Sequence, residues 1–201
     1  MGNKVHFGLE NVHVAPITTK DNVESYEDPI KINGAVNVNL SKEGNETTFY
    51  ADNMLYYTTN QNNGYSGDIE VADFPQEVLS KLLGWGDTTD SKGMWIEYAD
   101  KEPVPFALMF EVSGAENNAE SLARYVLYNC VVARPDLAAE TLGEDKEPKT
   151  QTLSITATPK TFTINNVERK VVKGCLEKAN AVGTSWDEFF KAVLEPTVSG
   201  A

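Results

Sequence analysis

The chemistry open to this chain starts from two histidines, two cysteines and an excess of carboxylates. His6 and His13 stand seven residues apart. A metal site needs further His, Cys or carboxylate ligands converging on them, and the sequence nominates none, so both read as ordinary histidines on or beside a strand. Cys130 and Cys175 are too few for a disulfide framework, and neither has a second Cys or a His at zinc spacing. Cys130 alternates within LARYVLYNCVV like a buried strand residue, and a reduced thiol is expected. With 30 Asp and Glu residues, carboxylate pairs arise by chance, so no acid–base pair stands out. GxSxG, Walker, GxGxxG and Cys–His nucleophile patterns are all missing. The expectation is a protein that is not an enzyme, with no catalytic residue, metal or cofactor.

Charge narrows the partners. Against 30 acidic residues stand 17 basic ones, a net charge of −13. A nucleic-acid grip neutralises phosphates with Lys and Arg, so this balance argues against one. It is compatible with a surface that DNA passes without sticking, and equally with simple solubility. At 201 residues and 41% hydrophobic composition, the chain can bury a real core in one domain. The start, MGNKVHFGLENV, has no apolar signal core, and no apolar run reaches membrane-spanning length, so synthesis in the cytoplasm without a membrane anchor is expected.

The elements that must carry any site are mostly strands. KVHFGLE places Val5, Phe7 and Leu9 on one face, and IKINGAVNVNL groups Val36, Val38 and Leu40 opposite Asn37 and Asn39. ETTFYADNMLYYTT runs into the turn cluster NQNNG, followed by YSGDIEVA, MWIEYAD, PFALMFEV and LARYVLYNCVVAR. TLSITATP sets Leu153, Ile155 and Ala157 against Thr152, Ser154 and Thr156, and TFTINNVERKVVK reads as a hairpin tipped by Asn165 and Asn166. ETLGEDKEPKT, residues 140–150, reads as a charged surface connection. Strands at this spacing indicate a mainly β fold, a sandwich or barrel.

Two helices interrupt the pattern. Asp73-Phe74-Pro75-Gln76 looks like a helix start with Asp73 able to cap. Val78, Leu79, Leu82 and Leu83 form the apolar stripe, and Gly84 is the left-handed stop, so a flanking helix is expected over about 75–83. A second candidate lies at about 185–195 in TSWDEFFKAVLEP, capped by Thr184 or Ser185, with Phe189, Phe190, Val193 and Leu194 as its apolar face.

Six pieces, in order, resemble the major tail protein (tail tube protein) family of long-tailed phages with non-contractile tails, in the branch common among phages of Gram-positive bacteria. They are KVHFGLENVHVAPI, IKINGAVNVNLSKEGNETTFYADN, GYSGDIEVADFPQEVLSKLLG, FALMFEV, RYVLYNCVVARP and TLSITATP, together spanning about residues 3–160. The resemblance implies a single tail-tube β-sandwich domain over 1–201, with about 165–201 a less certain C-terminal extension or arm. It implies a structural subunit that forms stacked, generally hexameric rings, a hollow conduit for DNA delivery in the virion tail. Implied partners are other copies of the chain, a tape measure protein, tail terminator and tail tip proteins, and double-stranded DNA passing through the lumen without specific binding.

Within that reading, Asp52 and Asn53 interrupt an aromatic run, and with Tyr56 and Tyr57 they are the candidate contacts between subunits; the alternative is an internal hairpin corner. A different class, a carbohydrate- or receptor-binding β-sandwich of a phage tail tip or cell surface, would use exposed aromatics, for which Trp85, Trp95, Tyr56 and Tyr57 are the candidates. A hydrolase on a β-sandwich is the remaining class. The polar faces Asn37/Asn39 and Thr152/Ser154/Thr156 suit either a DNA-facing bore or an outer wall.

Overall fold

The computed structural model describes residues 6–85, 92–114, 121–136 and 150–196. Strands β1 (His6–Lys20), β2 (Val23–Tyr26), β3 (Ile30–Lys31), β4 (Ala35–Glu43), β5 (Glu46–Ala51), β6 (Met54–Asn60) and β7 (Gly64–Val71) come first. Helix α1 (Gln76–Leu82) precedes β8 (Phe106–Gly114) and β9 (Ser121–Val132). Then come β10 (Gln151–Ala157), β11 (Lys160–Ile164), β12 (Val167–Val171) and β13 (Lys173–Glu177), a 3-10 turn at Lys178–Asn180, and the one-turn helix α2 (Ser185–Glu188). The fold is mainly β, as the alternating segments require.

One antiparallel sheet dominates, in the order β2-β1-β8-β9-β10-β7-β4, with β3 added to β1 and β13 to β9. The long β9 holds two neighbours along one edge: β13 opposite Ala123–Leu127 and β10 opposite Cys130–Val132. The sheet curls until β4 comes back near β1, yet the two share no ladder, so no barrel closes.

The central strands are buried on both faces, and the two-residue period of a strand sends alternate side chains to different cores. Val12, Val14, Phe106, Leu108, Leu127 and Cys130 join Ile69, Leu153 and Ile155 on one side, where α1 lays down Val78, Leu82 and Leu83. Ala15, Ala107, Met109, Val126 and Tyr128 take the other side, covered by Phe162 of β11 and by Phe189 just after α2. The C-terminal third therefore supplies one wall of the second core.

Several local expectations need correction. Pro75, not Asp73, occupies the N-cap of α1, with no side-chain cap; the Phe74 N–H is instead satisfied by Gln151 Oε1 at 2.9 Å. The C-terminal end is as expected: Gly84 at φ +72° lets Trp85 N–H reach Ser80 O at 2.8 Å. Val36 does not share the face of Val38 and Leu40. The β4–β7 register slips between Ala35 and Asn37, and this bulge turns Val36 outward. MWIEYAD is not a strand, forming no ladder with the described strands, and Met94, Trp95, Ile96 and Tyr98 stay exposed. The helix expected over about 185–195 closes after one turn, because Phe189 N–H and Lys191 N–H reach back only three residues, to Trp186 O and Glu188 O. Thr184 gives no side-chain cap, and Ser185 Oγ accepts instead from Val182 N–H. Val5 and most of the loop at 140–150 lie outside the described residues.

Candidate functional site

The ladder between β4 and β7 does not stop where those strands leave the sheet. Asn63 N–H donates to Glu43 O at 2.9 Å and Gln61 N–H to Asn45 O at 3.0 Å, carrying the pairing through the break into β5 and β6. Gly44 permits that close approach, since a Cβ there would lie 1.9 Å from Gln61 O. The result is a ribbon continuing outward from the body. From Glu43 to its tip the chain advances nine residues, about 25–30 Å at the rise of a strand.

Asp52 and Asn53 form the tip, with φ of +52° and +59° between the paired residues Ala51 and Met54. Two successive left-handed residues are the signature of a type I′ turn, which Asp and Asn tolerate better than other residues bearing a Cβ. Below the tip the register slips, pairing Phe49 with Tyr57 and Tyr50 with Leu55, so Tyr56 is an extra, bulged residue. Phe49, Tyr50, Met54, Leu55, Tyr56 and Tyr57 are all more than half exposed, Tyr56 reaching 74%. The four candidate contact residues are thus brought together on a hairpin whose side chains stand clear of the body. Sequence reasoning missed Phe49, Tyr50, Met54 and Leu55 as members of the same surface.

A second surface lies on the sheet beside the ribbon. On β4, β7 and β10, the residues facing away from the core align in rungs: Asn37, Glu70 and Thr152; Asn39, Asp68 and Ser154; Ser41, Ser66 and Thr156. Ser154 Oγ donates to Asp68 Oδ1 at 2.7 Å, Thr150 Oγ1 to Glu70 Oε1 at 2.5 Å, and Ser66 Oγ to Glu43 Oε1. The two polar faces noted in the sequence are therefore one face. It carries carboxylates and small polar groups, and no Lys or Arg occupies these rungs.

No protein-family model matches the chain, and no curated protein matches it. Among solved structures, the cryo-EM structure of the anti-feeding prophage cap (AFP tube terminating cap) is similar, at 12% identity and a TM-score of 0.40. The match covers 86% of this chain and 93% of that one. A likeness this remote bears on neither family nor activity.

Of the other candidates, His13 and Cys130 are buried in the packed interior. His13 is buried, stacks on Phe190 with ring centroids 4.6 Å apart, and donates from Nδ1 to Asn11 O at 2.8 Å. Burial, chiefly, holds its pKa below the ordinary value, assisted by Lys31 and Arg124. Burial likewise pushes the Cys130 thiol up to about 12 and Tyr128 to about 12, so neither is a poised nucleophile or base. Among the described residues no three His, Cys, Asp or Glu side chains gather as metal ligands. Trp85 packs partly buried against the first core, and Trp95 is 37% exposed in the irregular stretch before β8. A groove of about 520 Å³ beside Trp85 is lined also by Glu97, Arg134, Asp136 and Gln151, with Arg134 and Glu97 already paired to each other.

Proposed function

We propose that this chain is a structural, non-catalytic subunit of a phage-type tail tube, assembling with copies of itself into stacked rings, hexameric by the sequence resemblance, that conduct DNA. The observation that carries the reading is the projecting apolar hairpin. An isolated two-stranded hairpin is marginal in water, and six exposed large apolar side chains are a liability for a permanent monomer. Covering them is worth on the order of 10 kcal/mol before the costs of association. A subunit meant to be joined by its own copies has a use for such an arm, because a repeated head-to-tail contact closes into a ring or extends into a tube.

The polar face of β4, β7 and β10 supports the second half of the reading. A conduit lined by Lys and Arg would hold the duplex through many phosphate contacts, whereas Asp68, Glu70 and their Asn, Ser and Thr neighbours repel it and keep a water layer. We assign this face to the bore. Contacts with a tape measure protein and with proteins closing the two ends of the tail belong to the same proposal. A glycan-binding module is the second reading, and the groove beside Trp85 is what favours it.

Negative-stain microscopy of the purified protein across a concentration series tests the assignment. Rings or tubes are expected at high concentration. Compact monomers at every concentration would overturn it, and saturable binding of glycans by those monomers would establish the second reading.

A further inference from the structure

The ribbon leaves the body beside an opening in the curled sheet. Val38, Leu40, Tyr65, Phe110 and Tyr125 line this mouth around a cavity of about 180 Å³, with Lys173 at its rim. Phe110 and Tyr125 stack at 5.3 Å, and the Lys173 ammonium lies 5.0 Å from the centroid of Tyr65. Lys42 stands opposite Tyr65 in the β4–β7 ladder, so a second cation lies close by. The mouth is an apolar pocket with a basic rim.

The hairpin has the complementary character. Its tip is apolar and aromatic, and the only charges between Gly44 and Asn63 are Glu46 and Asp52. No Lys or Arg occurs from Glu43 to Ser80. Within one chain the two cannot meet while the ribbon keeps its form: Leu40 and Tyr65 lie at its root, and the hydrogen-bonded break at Asn45 and Gln61 carries the tip away from them. The exposure of every large apolar side chain on the hairpin shows that it does not lie over its own mouth.

We propose that the hairpin tip of one copy docks into the mouth of a second copy, with Tyr56 or Met54 entering the apolar cavity and Asp52 meeting Lys173 at the rim. This rests on the self-assembly reading above and names the receiving surface. The contact joins two different patches, so each copy gives one hairpin and receives one. The charge pair fixes register while the apolar side chains supply affinity.

Charge exchange tests the contact. Asp52→Lys and Lys173→Glu, each alone, should weaken assembly by about tenfold or more in the concentration required, followed by sedimentation and microscopy. Mixing the two single variants should restore it, because every hairpin then finds a pocket of opposite charge, and the double variant should assemble alone. Asp52→Asn keeps a residue suited to the left-handed turn while removing the charge, and should show the same direction of loss with an unchanged melting temperature. Single variants that assemble like the parent would overturn the proposal, as would mixing that restores nothing. Recovery in the double variant without recovery on mixing would place the contact within one chain and also overturn it. In all three cases the tube reading survives if the parent protein assembles; a parent that never assembles refutes that reading itself.

Discussion

Arg124 faces Glu111 directly across the β8–β9 ladder, its Nε 2.5 Å from Glu111 Oε2. Asn11 Nδ2 donates to the other carboxylate oxygen at 3.4 Å, while Arg124 Nη1 donates to Trp186 O and the guanidinium lies 4.0 Å from the Trp186 ring centroid. Phe190 covers it at 4.7 Å. One largely buried ion pair thus fastens the C-terminal segment to the centre of the sheet. Removing one partner leaves the other, largely desolvated charge without its counter-ion. Glu111→Gln or Arg124→Ala is therefore expected to cost about 3–5 kcal/mol, read from urea unfolding. Replacing both by Met and Leu should cost clearly less than the sum of the single changes. Additive losses would contradict the coupling.

His13 sits at the edge of the same cluster, and its pKa is lowered from 6.5 mainly by desolvation. The folded state thus favours neutral imidazole, while the unfolded chain gains its proton near 6.5. The stability tied to this histidine is complete above that value and is lost as pH falls below it toward the lower folded pKa. Melting temperature should drop between pH 7.5 and 5.5, and His13→Gln should remove part of that slope. An identical slope in the variant would show that His13 does not titrate as described.

Much of this architecture was legible because one face of a strand met water. Leu153, Ile155 and Ala157 alternate with Thr152, Ser154 and Thr156, and all three apolar residues are buried. Asn165 and Asn166, at φ +54° and +58°, form the hairpin tip their types suggest. What could not be read depends on partners distant in the chain. The slip that exposes Val36 is set by β7, and Glu111 finds Arg124 only once β8 and β9 are in register. MWIEYAD has the composition of a strand but joins none of the described strands in a ladder. The hairpin was readable as two strands and a turn, yet FYADNMLYY, apolar on both faces, looks the same whether buried or projecting. Exposure at Tyr50 and Leu55 becomes visible only in the folded chain.

The exposure of Tyr56 and Tyr57 separates assembly from folding. Neither ring belongs to a core cluster, so Tyr56→Ala with Tyr57→Ala should shift monomer stability by no more than about 1 kcal/mol. Ring or tube formation should be abolished or displaced to much higher concentration. A melting temperature lowered by ten degrees or more, with aggregation, would instead make the hairpin part of the folding core.

The polar face formed by Asn39, Asp68 and Ser154, with Glu70 and Thr152 on the next rung, yields the prediction closest to function. Neither subunit nor tube should retain duplex DNA in a gel-shift assay, even at low salt, where electrostatic attraction reaches furthest. Asp68→Lys combined with Glu70→Lys places two cations per subunit on that face, and repetition through a ring multiplies them. Those tubes should hold DNA, with affinity falling steeply as salt rises, since the slope grows by about 0.9 for each phosphate neutralised. The same two reversals at exposed Glu168 and Glu177, on β12 and β13 and away from the three-strand face, control for total charge. They should leave lumenal retention and DNA ejection as in the parent. If the Asp68 and Glu70 variant forms normal tubes that release DNA at the parental rate, this face does not line the bore.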